Sequence, residues 1–303
     1  MIFYNNSRFS RLSISLLFGA VATLGASAPA VAKPYSPLTL SVSRIATFDA
    51  EVNNTGYEVQ RDTWLFGVKS DIPLNQQWSI SLNANYDKLD FDWSGRGAGL
   101  MAGQLSPWSS VDRYSAGVGL SYRPNQRWMF LFAPKIQYAY TEDASRSNAQ
   151  SYGVVASGMY RFNNGNMLGL GVAYLNDISE VRTVPYLAVN WQISDRLKLG
   201  NPFSAGFSGP AGLELSYKLS DDIDAGVGAS KRTQRFLVKD DNVAVEIDEW
   251  ASFVRAGWVV NESLSLNGYI GYYFNGEMEL SDPNHTDTLD NQLAMAFAAQ
   301  YKF

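Results

Sequence analysis

Cysteine is absent from the 303 residues and histidine occurs once. No disulfide can staple this fold, so an exported form of the chain needs another source of stability. A closed ring of strand hydrogen bonds would supply it. Past residue 32, no stretch reaches the roughly 20 uninterrupted apolar residues of a membrane-spanning helix. Charged residues make up only 17%, below the roughly 25% usual for soluble domains. The net charge of -5 argues against a nucleic-acid partner, because such binders are usually basic.

The single histidine also limits the chemistry. His285 lies in the polar stretch Asp282-Pro283-Asn284-His285-Thr286-Asp287. A Ser–His–acid site needs its histidine held by an orienting carboxylate beside a nucleophile. No hydrolase motif surrounds this one, so a solvated loop histidine, no enzyme and no cofactor are expected. Two acidic groups have carboxylates for a hard cation: Glu277, Glu279, Asp282, Asp287 and Asp290, and Asp240, Asp241, Glu246, Asp248 and Glu249. Neither has ordered ligand spacing, so solvated loops are the expectation and no metal is assigned.

Aromatic residues are plentiful: 8 Trp, 17 Tyr and 16 Phe. The first 32 residues have the layout of a cleaved export signal. Arg8 and Arg11 give a positive start, Ile14 to Leu24 a short apolar run, and Ala30-Val31-Ala32 a small-residue cleavage site. Residues 33–303 are expected to form one domain.

From about residue 38 the hydrophobic period is two. Trp78, Ile80, Leu82, Ala84 and Tyr86 alternate with Ser79, Ser81, Asn83 and Asn85. The stretches 114–123, 213–219 and 264–272 do the same. Successive side chains of a strand face opposite ways, so each segment has one apolar face and one polar or small face. A soluble sandwich alternates too. Strand length and aromatic placement favour a membrane barrel instead. Most segments are about 10 residues or longer, as a tilted strand crossing a bilayer requires. Trp78, Trp128, Trp191 and Trp258 sit at the ends of apolar faces, beside short turns, where amphipathic rings favour a membrane boundary.

Short turns are expected at Pro73 to Gln77, Pro124 to Arg127, Asn163 to Asn166, Ser194-Asp195, Ser220 to Asp222 and Asn261 to Ser263. Longer connections are expected near 50–56, 90–110, 142–150, 176–183, 200–210, 232–248 and 275–290. Alternating short turns and long loops is the plan of outer-membrane barrels. The expected fold class is all-β, a transmembrane antiparallel β-barrel of about 14 strands, with 12 or 16 left open. Its first strand is Leu38 to Phe48 and its ninth Arg196 to Asn201.

The polar faces carry Lys69, Arg123, Lys135, Arg161, Glu214, Lys218, Arg255 and Lys302. A charge facing lipid near the midplane costs roughly 2–4 kcal/mol, which turns these candidates toward the lumen. Cations outnumber acids among them, a bias that would suit anionic or neutral small solutes. A passive channel or small-solute transporter is one expectation. A non-conducting structural or surface-interaction barrel, filled by its own side chains, is the other.

At the C-terminus, Met295, Phe297, Ala299, Tyr301 and Phe303 share one face, and the sequence stops on Phe303. This resembles the terminal targeting signal of bacterial outer-membrane barrels, with Phe297, Tyr301 and Phe303 as its aromatic positions. The resemblance implies recognition by the barrel assembly machinery. Residues 33–303, including Val184-Pro185-Tyr186-Leu187-Ala188-Val189-Asn190-Trp191, resemble a poorly characterised family of outer-membrane barrels of Gram-negative bacteria. The family implies an outer-membrane location among lipid and lipopolysaccharide, and no catalytic residues.

Overall fold

A computed structural model describes residues 38–303 apart from 98, 179, 203–205, 210 and 240–242. The expected export signal lies outside the described residues. The early strands are β1 (Thr39–Thr47), β2 (Ala50–Val52), β3 (Tyr57–Pro73), β4 (Trp78–Gly95), β5 (Ser110–Tyr122) and β6 (Trp128–Thr141). Then come β7 (Gln150–Arg161), β8 (Met167–Asn176), β9 (Val181–Gln192), β10 (Leu197–Gly200) and β11 (Ala211–Lys218). The last are β12 (Ile223–Lys239), β13 (Val243–Val259), β14 (Leu264–Leu280), β15 (His285–Leu289) and β16 (Gln292–Lys302).

β1 pairs antiparallel with both β3 and β16, and the remaining long strands pair in sequence order. The result is a closed ring of 14 antiparallel strands, which leaves no sheet edge to aggregate. β2 and β15 are short rim segments outside that count; they prolong the wall and meet at Val52 and Leu289. Both ends of the ring, Thr39 and Lys302, pair with each other on the side of the short turns.

The outward faces carry Leu82, Val118, Phe132, Leu170, Val254 and Ile270, all exposed, Leu170 by 72%. A continuous exposed apolar band on a closed barrel is stable against lipid, not water. Two aromatic girdles bound it. On the turn side Trp78 stacks on Tyr122 at 4.3 Å, and Trp128 meets Tyr160 at 5.0 Å. On the loop side Tyr86 stacks on Tyr114 at 4.9 Å, with Trp64 and Tyr140 in the same belt. Along β5 the stretch from Tyr114 to Tyr122 spans roughly 20 Å at about 3.3 Å per residue and 40° of tilt. Immediately beyond the second girdle the outward residues turn charged, beginning with the Arg44–Asp62 pair (Nε to Oδ1, 3.1 Å). The chain is therefore a transmembrane β-barrel.

Several expected loops contain strand. β4 continues to Gly95, the β12–β13 hairpin fills most of 232–248, and β14 and β15 occupy much of 275–290. The reason is alternation that does not stop at the membrane surface: Phe236, Val238, Val245, Ile247, Met278 and Leu280 are all buried inside the upper barrel. His285 is likewise on a rim strand, not in a loop, and its Nε2 lies 3.1 Å from Asp287 Oδ1.

β10, at four residues, is the shortest strand of the ring. Asn201 ends it by clamping its neighbours. Its amide donates to the carbonyls of Leu187 on β9 (3.0 Å) and Gly212 on β11 (3.1 Å), and its oxygen accepts from Val189 N–H (2.8 Å). Asn201→Ala removes three bonds at the weakest seam. We expect a loss of about 1–3 kcal/mol, read as a lower urea midpoint for the refolded barrel. An unchanged midpoint would show that the seam does not depend on this side chain.

Candidate functional site

The lumen has two unlike halves. The half lined by β1, β3, β12, β13, β14 and β16 is packed. Gly206, at φ +81, adopts a left-handed conformation that suits glycine and helps the β10–β11 connection turn inward. Phe207 then lies buried on Tyr269 and Tyr273 with ring centroids 5.7 and 5.1 Å away. It sits over Gly271, where a Cβ would come within 2.5 Å of the ring. Tyr273 Oη donates to the Phe207 carbonyl at 3.1 Å.

Toward the loops comes a buried charged layer. Arg61 donates to both oxygens of Glu249 (3.1 and 2.8 Å) and to the amide oxygen of Gln292. Arg232 donates to Glu249 (3.3 Å) and to Tyr273 Oη (3.0 Å). Above it Val52, Val59, Leu89, Phe91, Trp108 and Phe236 belong to one apolar cap across the mouth.

The other half is polar and small on β4 and β5, while on β6 to β9 the buried Ala133, Val155, Ala173 and Leu175 form an apolar cluster with Leu131 and Tyr186. Strand register sets Asn83, Gly117, Lys135, Gly153, Leu175 and Arg182 in one inward row. Asn85, Ser115, Gln137 and Ser151 form the next. Arg113 Nε donates to Asp87 at 2.7 Å. Gln137 is only 5% exposed, yet its Oε1 has no hydrogen-bond partner. Buried amide oxygens are rarely left so, which marks this wall as hydrated or ligand-facing.

The β12–β13 hairpin separates the halves at the outer end. Its front carries Phe236, Val245 and Ile247 into the apolar cap. It leans across the mouth: Leu237 bridges in parallel to Tyr140 of β6, and Thr141 Oγ1 donates to the Val238 carbonyl at 3.2 Å. Its back bears Arg235 and Glu246. Arg182 of β9 pairs with Glu246 (Nη1 to Oε1, 3.0 Å) and lies 3.6 Å from both Asp177 and Glu180. Arg235 reaches Glu246 at 2.6 Å and Glu180 at 3.1 Å. Two arginines thus face three carboxylates in one network. Burial pushes the Asp177 carboxyl above the usual range; the neighbouring arginines pull it back only in part.

Each lumen candidate can be placed. Lys69 pairs with Asp71 at 2.8 Å near the turn side. Lys218 lies at the turn itself, exposed and 2.8 Å from Asp221. Arg255 pairs with Glu214 at 2.8 Å and with Asp224. Arg123 Nε points at Met129 Sδ (3.4 Å), and Arg161 closes β7 at the turn end. Lys135 stands partway up the polar wall, in its first row. The excess of cations in the sequence-based set therefore meets acids outside it: Asp71, Asp221 and Asp224. Glu246 and Glu249, expected in a solvated loop, are buried against arginines; Asp240 and Asp241 lie outside the described residues. Phe297 and Tyr301 share the outward face of β16 and Phe303 follows its last residue, with the Tyr301 and Phe303 rings 4.9 Å apart.

Sequence reasoning passed over Arg61, Asp87, Arg113, Arg182 and Phe207. Parity could have found Asp87, which continues Asn83 and Asn85, and Arg61, which continues Lys69. Arg182 fell inside an expected loop. Phe207 reaches the lumen from an irregular segment that carries no periodic signal.

Among curated proteins none matches this sequence. Among solved structures the fold is similar to the COG4313 outer membrane channel from Pseudomonas putida F1, at 11% identity and a TM-score of 0.50 over 90% of this chain and 97% of that one. A Pseudomonas aeruginosa FadL homologue is also similar, at 12% identity and a TM-score of 0.49 over 88% and 90%. At such identities the likeness is one of fold. Residues 73–303 match the family described as "Domain of unknown function (DUF6268)", and the chain belongs to that family.

Proposed function

We propose that this chain is exported by its N-terminal signal, inserted in the bacterial outer membrane, and passes small solutes across it. The observation that carries this reading is the unequal lumen. One half is packed from the Phe207 cluster to the apolar cap, while the β4–β5 wall keeps asparagine, serine and glycine along its inner face. A barrel built only as a structural post would gain by packing both halves. Lys69, Arg123, Lys135, Arg161, Glu214, Lys218 and Arg255 are the proposed lumen-lining charges. Because several are paired with acids, neutral and weakly charged solutes suit the route better than strong anions.

The test is single-channel recording of the purified barrel in a planar bilayer, with anions and cations of graded size. Discrete steps that shrink with ion size support the reading; silence would favour the second one. That second reading, a non-conducting barrel that interacts at the surface, is favoured by the buried Arg61–Glu249–Arg232 layer and the cap above it.

Insertion is proposed to depend on the C-terminal aromatics, read by the barrel assembly machinery. Deleting Phe303 should cut folded barrel in the outer envelope severalfold, with lipid and lipopolysaccharide as its surroundings there. Heat-modifiable gel migration of envelope fractions measures this. Equal amounts with and without Phe303 would contradict it.

A further inference from the structure

The outer end of the lumen offers a solute two ways past the β12–β13 hairpin, in front of it or behind it. The front is sealed. Lifting the hairpin would expose Phe236, Val238, Val245 and Ile247, all buried in the cap. At about 1.5–3 kcal/mol per side chain, this costs on the order of 6–12 kcal/mol. With a factor of ten for every 1.4 kcal/mol, fewer than roughly one molecule in ten thousand would be open.

The back is held differently. It meets the β6–β9 wall through a parallel bridge at the buried Leu237, a hydroxyl bond and the Arg182–Glu246–Arg235–Glu180–Asp177 network. Glu180 of that network is half-exposed, so the network meets water on one side. The row of Gln137 and Ser151, both buried, adjoins the row that holds Arg182, and the Gln137 amide oxygen is unpartnered. Thr183, next to Arg182, pairs with the outward, exposed Tyr174 near the loop end of β8, so the network stands toward the loop-side end of the apolar band.

We infer that solutes enter behind the hairpin, through a side port whose selectivity residues are Arg182, Glu246 and Arg235, with Gln137 as the adjoining contact on the wall. The ligand chemistry that fits is a small polar solute with a hydrogen-bond donor for Gln137 and at most one charge. This rests on the solute-passage reading and adds its route.

The cysteine-free chain makes the test direct. Gln137→Cys, with Ser151→Cys as a second probe of the same row, and Leu89→Cys in the front cap are each recorded in planar bilayers. A methanethiosulfonate carrying a sulfonate is then added. The expected result is loss of more than about half the conductance at Gln137→Cys or Ser151→Cys, and none at Leu89→Cys. Glu246→Gln, which removes one negative charge from the port, should raise the anion-over-cation permeability ratio by roughly two- to fivefold. Heat-modifiable migration shows that each variant is folded. Conductance that survives modification behind the hairpin, or is blocked from Leu89→Cys, overturns the side port and leaves the channel standing. An unmodified barrel that never conducts overturns both.

Discussion

Excising 235–247 and joining the ends with a short glycine linker should raise single-channel conductance by about an order of magnitude. The excision removes Phe236, Val245 and Ile247 from the cap and Arg235 and Glu246 from the port. It leaves Arg232 and Glu249 in place, so the charged layer on Arg61 survives. The ring is closed below this point by pairs such as Gly226–Arg255 and Arg255–Tyr269, so the wall should hold. What opens is the outer end of the β4–β9 route. An unchanged conductance would mean that the narrowest point lies deeper, near Lys135 or the Arg113–Asp87 pair.

A second large effect concerns stability and compares two arginines that each meet a carboxylate. Arg61 is 6% exposed and its partner Glu249 2%. Arg44 is 53% exposed beside Asp62. Removing one member of a buried pair strands the other's charge, a loss of about 3–5 kcal/mol, whereas exposed pairs contribute about 0–1 kcal/mol. Arg61→Ala should therefore lower the urea midpoint of the barrel in detergent or liposomes far more than Arg44→Ala. Equal shifts would show that water reaches Glu249 freely, and the packed half would then be a wet one.

Much of this molecule is legible in its sequence because a membrane barrel obeys a strict period. Trp78 to Tyr86 and Leu264 to Tyr272 alternate cleanly, and one face of each must meet lipid. The six short turns carry proline, asparagine, glycine, aspartate or serine, which suit tight reversals. Above the membrane the same period persists for a different cause. Phe236, Val238, Val245 and Ile247 are apolar because they fill the barrel from within, and a reading that equates loops with long connections loses them. Local pattern also says nothing about which strands meet across the lumen. The Arg61–Glu249 contact joins residues 188 apart in sequence, and Arg182–Glu246 joins residues 64 apart. Only the register of the closed ring brings them together. The candidate site was therefore legible as a set of inward charges, but not as a set of pairs.

Spin labels on β4 test the account most directly. Single cysteines at Leu82, Ala84 and Tyr86, against Asn83 and Asn85, would be labelled in liposome-reconstituted protein and probed with oxygen and a nickel chelate. Oxygen, which concentrates in lipid, should dominate relaxation at the even positions, and the water-soluble nickel complex at the odd ones. Nickel access throughout the series, or no alternation between neighbours, would contradict a barrel whose apolar side meets the bilayer.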